Sequence, residues 1–196
     1  MTDPERPGST FVPSGPQALS FRKALRHFPT GVTVVTIPEG MHARGMTASS
    51  LMHGMTASSF AAVSLDPPLL AVSVNKPGGM HRLLTETDGI YAVSILAHDQ
   101  KDIAEFFARL PWSEARDVAM DWRDGCPVIA DAYAWFLCRK WATYDGGDHT
   151  IFVGESIKNG GSDRPGLGPL VWHASHYHTI GSRLARAGRS KTADAD

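Results

Sequence analysis

Apolar positions recur at helical spacing at Phe21, Ala24, Leu25 and Phe28. Pro29 and Gly31 stop that helix. Val32 to Ile37 (VTVVTI) is β-branched and predicts a strand, followed by turn chemistry at Pro38-Glu39-Gly40. Val63–Leu65 and Leu69–Val74 predict further strands split by Asp66-Pro67-Pro68. Proline cannot donate to a ladder, so a bend or a sheet edge is expected there. Tyr91–Leu96 is another strand, and Asp99 is placed to cap a helix with Ile103, Phe106, Phe107 and Leu110 as its apolar stripe. Ala134–Tyr144 and Thr150–Lys158 read as long strands joined across Asp145-Gly146-Gly147-Asp148, a hairpin signal. Asn159–Pro169 reads as a loop and Leu170–His173 as a last short strand. Strands dominate and do not alternate regularly with helices. That favours an antiparallel barrel or sandwich over a doubly wound sheet.

At 196 residues, 42% hydrophobic and 20% charged, the chain is sized for one domain with a substantial core. A net charge of -1 gives no global attraction to nucleic acid. No apolar run is long enough for a membrane span. The first 17 residues, rich in Pro, Gly and Ser and without a secretory layout, are expected to form a disordered arm. Residues 18–181 are expected to form the folded domain, and 182–196 a flexible polar tail. Cys126 and Cys138 match neither a redox pair nor a zinc knuckle and read as buried thiols of a reducing, cytoplasmic compartment.

One hexapeptide occurs twice. GMTASS spans Gly45–Ser50 and again Gly54–Ser59, nine residues on. Nine is odd and strand side chains alternate with period two, so both copies cannot continue one strand in phase. One must leave the ladder, or a bulge must restore the register. Runs of small hydroxyl residues beside strands suit a site built from hydroxyls and backbone amides, one that takes an anionic or heteroaromatic cofactor.

Several chemistries lack their motifs. No strand leads into G-x-G-x-x-G, no P-loop lysine motif occurs, and there is no G-x-S-x-G elbow. His173, His176 and His178 raise a metal reading, since alternate strand positions share a face. No carboxylate pair accompanies them, and the expectation is no metal.

The ordered set GMTASSFAAVSLDPPLLAVSVNK, YAVSIL, GDHTIFVGE and PLVWHASHY resembles the flavin reductase family over roughly Ser20 to Gly181. The resemblance implies an antiparallel, Greek-key-like, FMN-binding split β-barrel with a few peripheral helices, assembled as a homodimer. It implies hydride transfer from NADH or NADPH to FMN or FAD, and delivery of reduced flavin to a partner monooxygenase. It also implies flavin contacts from Thr56, Ala57, Ser58 and Ser59, assigned to the second copy because that copy keeps uninterrupted spacing to SLDPPL, and from Ser73, Val74 and Asn75. Lys76 and Met80 fall in the segment expected at the flavin phosphate, which departs from the family by offering glycines where relatives offer hydroxyls. His149 is expected beside flavin and nicotinamide as the catalytic or orienting residue, with Trp172, His173, Ala174 and Ser175 lining the nicotinamide side. Two alternatives share these residues: a flavin-binding barrel that is not a reductase, and a β-barrel metalloenzyme using the C-terminal histidines.

Overall fold

The computed structural model describes residues 15–38, 52–109 and 118–181. The first hexapeptide copy, most of the expected N-terminal arm and the 182–196 tail lie outside the described residues. A helix α1 (Pro16–Leu25) leads into a short β1 (Thr30–Gly31) and then β2 (Thr33–Pro38). The second hexapeptide copy forms most of β3 (Met52–Ala57). The strands β4 (Ala61–Leu65) and β5 (Pro68–Asn75) follow, turning over a cis Asp66–Pro67 bond. Next come α2 (Gly79–Glu86), β6 (Ile90–Ile95), α3 (Lys101–Arg109), the hairpin β7 (Met120–Arg123) and β8 (Cys126–Ile129), and the long hairpin β9 (Ala134–Gly146) and β10 (His149–Gly161). A last hairpin pairs β11 (Leu170–His173) with β12 (His176–Thr179).

Seven strands form one antiparallel sheet in the order β3-β2-β6-β9-β10-β5-β4. Its two ends curl toward each other. Ser59, just past β3, donates from Oγ to the Ser73 carbonyl of β5 at 2.9 Å and accepts from the Ser73 N–H at 3.0 Å. One side chain thus mimics a ladder rung across the seam. The result is the expected mainly-β, antiparallel split barrel with peripheral helices. The expected edge also appears: β4, which runs into the proline turn, is the last strand of the sheet.

Both faces of the sheet are covered, which is why VTVVTI is a continuous apolar run rather than an alternating one. Val35 and Ile37 point into the curl with Val72, Val74, Val93, Leu84 and Phe152. Val34, their neighbour in β2, points outward into a second core with Met52, Ala104, Phe107, Ile129 and Leu170, built by α3 and the β11–β12 hairpin. Cys126 and Cys138 are both free and buried, as expected.

Three details differ from the sequence reading. Asp99 does not cap α3. Its carboxylate accepts from Arg164 Nη2 at 2.7 Å, and the helix begins after Gln100, whose carbonyl accepts the Ala104 N–H at 3.2 Å. The 159–169 region starts as strand, since β10 runs to Gly161. α2, β7, β8 and β12 were not foreseen.

Candidate active site

The hexapeptide in β3 divides into parts with separate jobs. Gly54 and Thr56 face outward beneath α3. A Cβ on Gly54 would lie 2.3 Å from Phe107 Cε1, so only glycine lets that ring seat flat on the strand. Thr56 Oγ1 donates to the Ala104 carbonyl of α3 at 2.7 Å. Thr33 Oγ1, from β2, donates to the Ala57 carbonyl at 2.8 Å. Ser59 closes the seam. Of the hydroxyls expected to grip a ligand, two are therefore occupied in holding the fold. Ser58 and the remaining polar capacity of Thr56 are left at the cavity they border.

That cavity measures about 280 Å³ and is lined by Val32, Met55, Thr56, Ala57, Ser58, Phe107, Ala108, Trp172 and Tyr177. Trp172 and Tyr177 are cross-strand partners in the last hairpin and meet edge to face, with centroids 4.8 Å apart. Phe107 is the third ring. The sequence reading found Trp172 but missed Phe107 and Tyr177. The β11–β12 register would have revealed Tyr177, because a two-residue turn at Ala174-Ser175 puts it opposite Trp172. Both turn residues adopt positive φ, 50° and 66°, as such a turn requires.

Pleating sorts the other candidates by face. Thr150 pairs with Val74, which is buried in the inner core, so Thr150 is an inner residue. His149 and its partner Asn75, with Ser73 and its partner Ile151, face outward. Ser59 and Ser73 then link the cavity lip at Ser58 to His149, two strand positions beyond Ile151. Thr56, Ala57, Ser58 and Trp172 line the cavity, and Ser59, Ser73, Asn75 and His149 follow in turn from its lip along the outward side of the seam, the path we call the outer groove.

Other expected residues are not brought there. Lys76 is engaged elsewhere: its Nζ meets the exposed Asp145, the cross-strand partner of Thr150. Val74 and Met80 are core residues, 1% and 7% exposed, so their side chains pack the interior and only their backbone groups are left to meet a ligand. Alternation puts His173 on the hairpin face opposite Trp172, where its ring neighbours His178 at 5.7 Å. Ala174 gives its N–H to the Arg26 carbonyl at 2.9 Å. A larger hollow of about 440 Å³ lies between α2 and β9, bordered by His81, Thr85, Trp141, Thr143 and Thr150. It opens on the inner side of the long hairpin and shares no residue with the groove.

At the groove's far end, His149 Nδ1 donates to Asp148 Oδ1 at 2.7 Å. This contact leads the causes that hold the Asp148 carboxyl below the usual aspartate range, and the positive charge of Arg22 adds to it. With Nδ1 engaged, Nε2 is the ring nitrogen left for a ligand. Among the described residues no group of three or more His, Cys, Asp or Glu is arranged to hold a metal ion. The C-terminal imidazoles instead bond carbonyls, His176 Nδ1 that of Ala174 at 2.9 Å and His178 Nε2 that of His173 at 3.2 Å.

The domain model described as flavin reductase like matches residues 25–181, which contain both the groove and the barrel seam. The chain belongs to the flavin reductase family. It is 42% identical over 153 residues to FMN reductase (NADH) SmoA of Agrobacterium fabrum, covering 76% of this chain and 79% of that one. It is 36% identical over 158 residues to NADH-dependent flavin reductase StyB of Pseudomonas fluorescens, covering 81% and 87%. Among solved structures, the styrene monooxygenase flavin reductase of Pseudomonas putida S12 superposes with a TM-score of 0.73 at 34% identity, over 84% of this chain and 99% of that one. The Streptomyces globisporus NADH:FAD oxidoreductase SgcE6, in complex with NAD and FAD fragments, superposes at 0.71 with 34% identity, over 87% and 94%.

Proposed function

We propose that this chain is an NAD(P)H-dependent flavin reductase that binds FMN or FAD along the outer groove, reduces it with NADH or NADPH, and supplies the reduced flavin to a partner monooxygenase. One observation carries the reading. In a flavin reductase family member, a cavity walled by three aromatic rings opens on the same face as His149, with Ser58 at its lip.

The donor set fits a flavin. Phe107, Trp172 and Tyr177 offer flat apolar walls, and Ser58 with neighbouring amides offers donors for ring carbonyls. When bound, flavin supplies the hydride-accepting ring. Everything else is positioning by this chain. A cavity of 280 Å³ takes one ring system, so the second ring must lie along the open groove toward Asn75 and His149. Hydride transfer needs the two rings face to face at about 3–3.5 Å, and the aromatic walls set that plane. The same walls exclude water from it. His149, steadied through Nδ1 by Asp148, presents Nε2 to the ring that lies along that stretch of the groove and fixes its orientation.

The groove is open on its outer side, and the chain is read as a homodimer whose second copy covers part of it. The exposed apolar side chains Leu19, Phe21, Leu25 and Phe28 on and after α1 support that assembly. Free Cys126 and Cys138 support a cytoplasmic location. Among the described residues no helix is long and apolar enough to cross a membrane.

The test is a steady-state assay crossing NADH and NADPH with riboflavin, FMN and FAD. Oxidation of at least one nucleotide, dependent on both protein and flavin, is expected. Failure of every pair overturns the reading.

A further inference from the structure

Almost all of α1 is exposed, so packing of its own does little to fix it in place. It is nevertheless pinned at its C-terminal end. The Arg26 carbonyl accepts the Ala174 N–H at 2.9 Å, from the turn of the β11–β12 hairpin that carries Trp172. Arg22 lies one helical turn earlier on the same side of the helix, its carbonyl accepting the Arg26 N–H. The last turn of α1 therefore stands beside the hairpin tip that carries Trp172 at the edge of the groove. It carries Arg22, Lys23 and Arg26, followed by His27. Among the described residues none of the three cationic side chains forms an ion pair with a carboxylate. Arg22 also precedes residues 25–181, so the domain match does not account for it.

We propose that the Arg22–Arg26 face of α1 binds the pyrophosphate of the pyridine dinucleotide, so that the nicotinamide end is carried to the flavin ring held in the aromatic cavity. This rests on the reductase reading. The dinucleotide carries two adjacent phosphate charges. Two guanidinium forks, four residues apart on one helix face, suit them in both charge and spacing. Lys76, near the His149 end of the groove, is already paired with Asp145. The phosphate of the flavin is the other source of the same chemistry, and the position of Arg26 beside the Trp172 hairpin favours the dinucleotide.

The test compares wild type with the Arg22→Gln/Arg26→Gln double variant, using NADH and the phosphate-free donor 1-benzyl-1,4-dihydronicotinamide, each with FMN and with riboflavin. The variant is expected to raise KM for NADH about tenfold, with kcat changed less than about twofold. The effect should fade at high salt. The phosphate-free donor should lose less than about twofold, and Arg22→Lys/Arg26→Lys should recover most of the NADH affinity. Equal losses with both donors, an unchanged KM for NADH, or a loss confined to FMN and absent with riboflavin would each overturn the proposal. Failure of wild type to oxidise NADH with any flavin would instead remove the reductase reading itself.

Discussion

Replacing Gly54 by alanine tests how the cavity gets its shape. An added Cβ would lie 2.3 Å from Phe107 Cε1 and 2.5 Å from Cδ1. Ordinary carbon contacts begin near 3.5 Å, so the ring must move by about 1 Å. Phe106 crosses it edge-on at 5.1 Å on one side. The open direction is the cavity that Phe107 lines. Overpacking of this kind costs about 1–3 kcal/mol. In a chain of this size that lowers Tm by about 2–4 °C per kcal/mol. The displaced ring should also narrow the slot and weaken flavin binding. Phe107→Leu in the same chain removes the clash, and the double variant should be more stable than the two single losses predict, by about 1–2 kcal/mol. The assays are thermal melting and flavin titration of the four chains. Gly45→Ala, at the matching position of the other copy, should leave both readings unchanged. If Gly54→Ala melts and binds like wild type, or if Gly45→Ala costs as much, the packing argument and the choice of copy are wrong.

Thr56→Val removes the donor to the Ala104 carbonyl and should cost about 1–2 kcal/mol in melting, with Thr47→Val near neutral. Equal effects would place the wrong copy beneath α3. The Asp99 carboxyl is held below the usual aspartate range chiefly by its hydrogen bond from Arg164. Its folded pKa therefore lies below the unfolded value of about 3.9, so the pair stabilises the fold at neutral pH and fails as pH falls through the lowered value. Asp99→Asn should show a shallower acid loss of Tm than wild type, a small effect because both side chains are largely solvated. Burial pushes the Cys126 and Cys138 thiols up to about 12. Both should resist a thiol reagent at pH 8 in the native protein and react in denaturant. Rapid native labelling of either would contradict their placement.

Where one residue type had one plausible use, the sequence was readable. VTVVTI, YAVSIL and the long hairpin are β-branched or aromatic runs bounded by turn residues, and they stand as strands. α2 was hidden because it opens on Gly78-Gly79 with no side-chain cap, and its apolar Met80 and Leu84 are buried four apart within a short stretch of eight residues. β12 reads His-Tyr-His-Thr, and only Tyr177 packs inward, so no hydrophobic alternation announced it. The hydroxyl run shows the limit of reading donors from sequence. Thr56 and Ser59 are donors, but the groups that accept from them come from 48 and 14 residues away. Lys76 shows the same limit for charge. Its type suits a phosphate, yet in the fold it meets Asp145 instead.

The central claim is that the groove at the barrel seam holds flavin where a reduced nicotinamide can reach it. Anaerobic stopped-flow mixing of the flavin-loaded protein with NADH, followed at the oxidised-flavin absorbance band, tests it most directly. Wild type should bleach far faster than free flavin, and Trp172→Ala, which strips one wall of the slot, should slow bleaching by about tenfold or more. Bleaching no faster than that of free flavin, or a Trp172→Ala chain indistinguishable from wild type, would contradict the account.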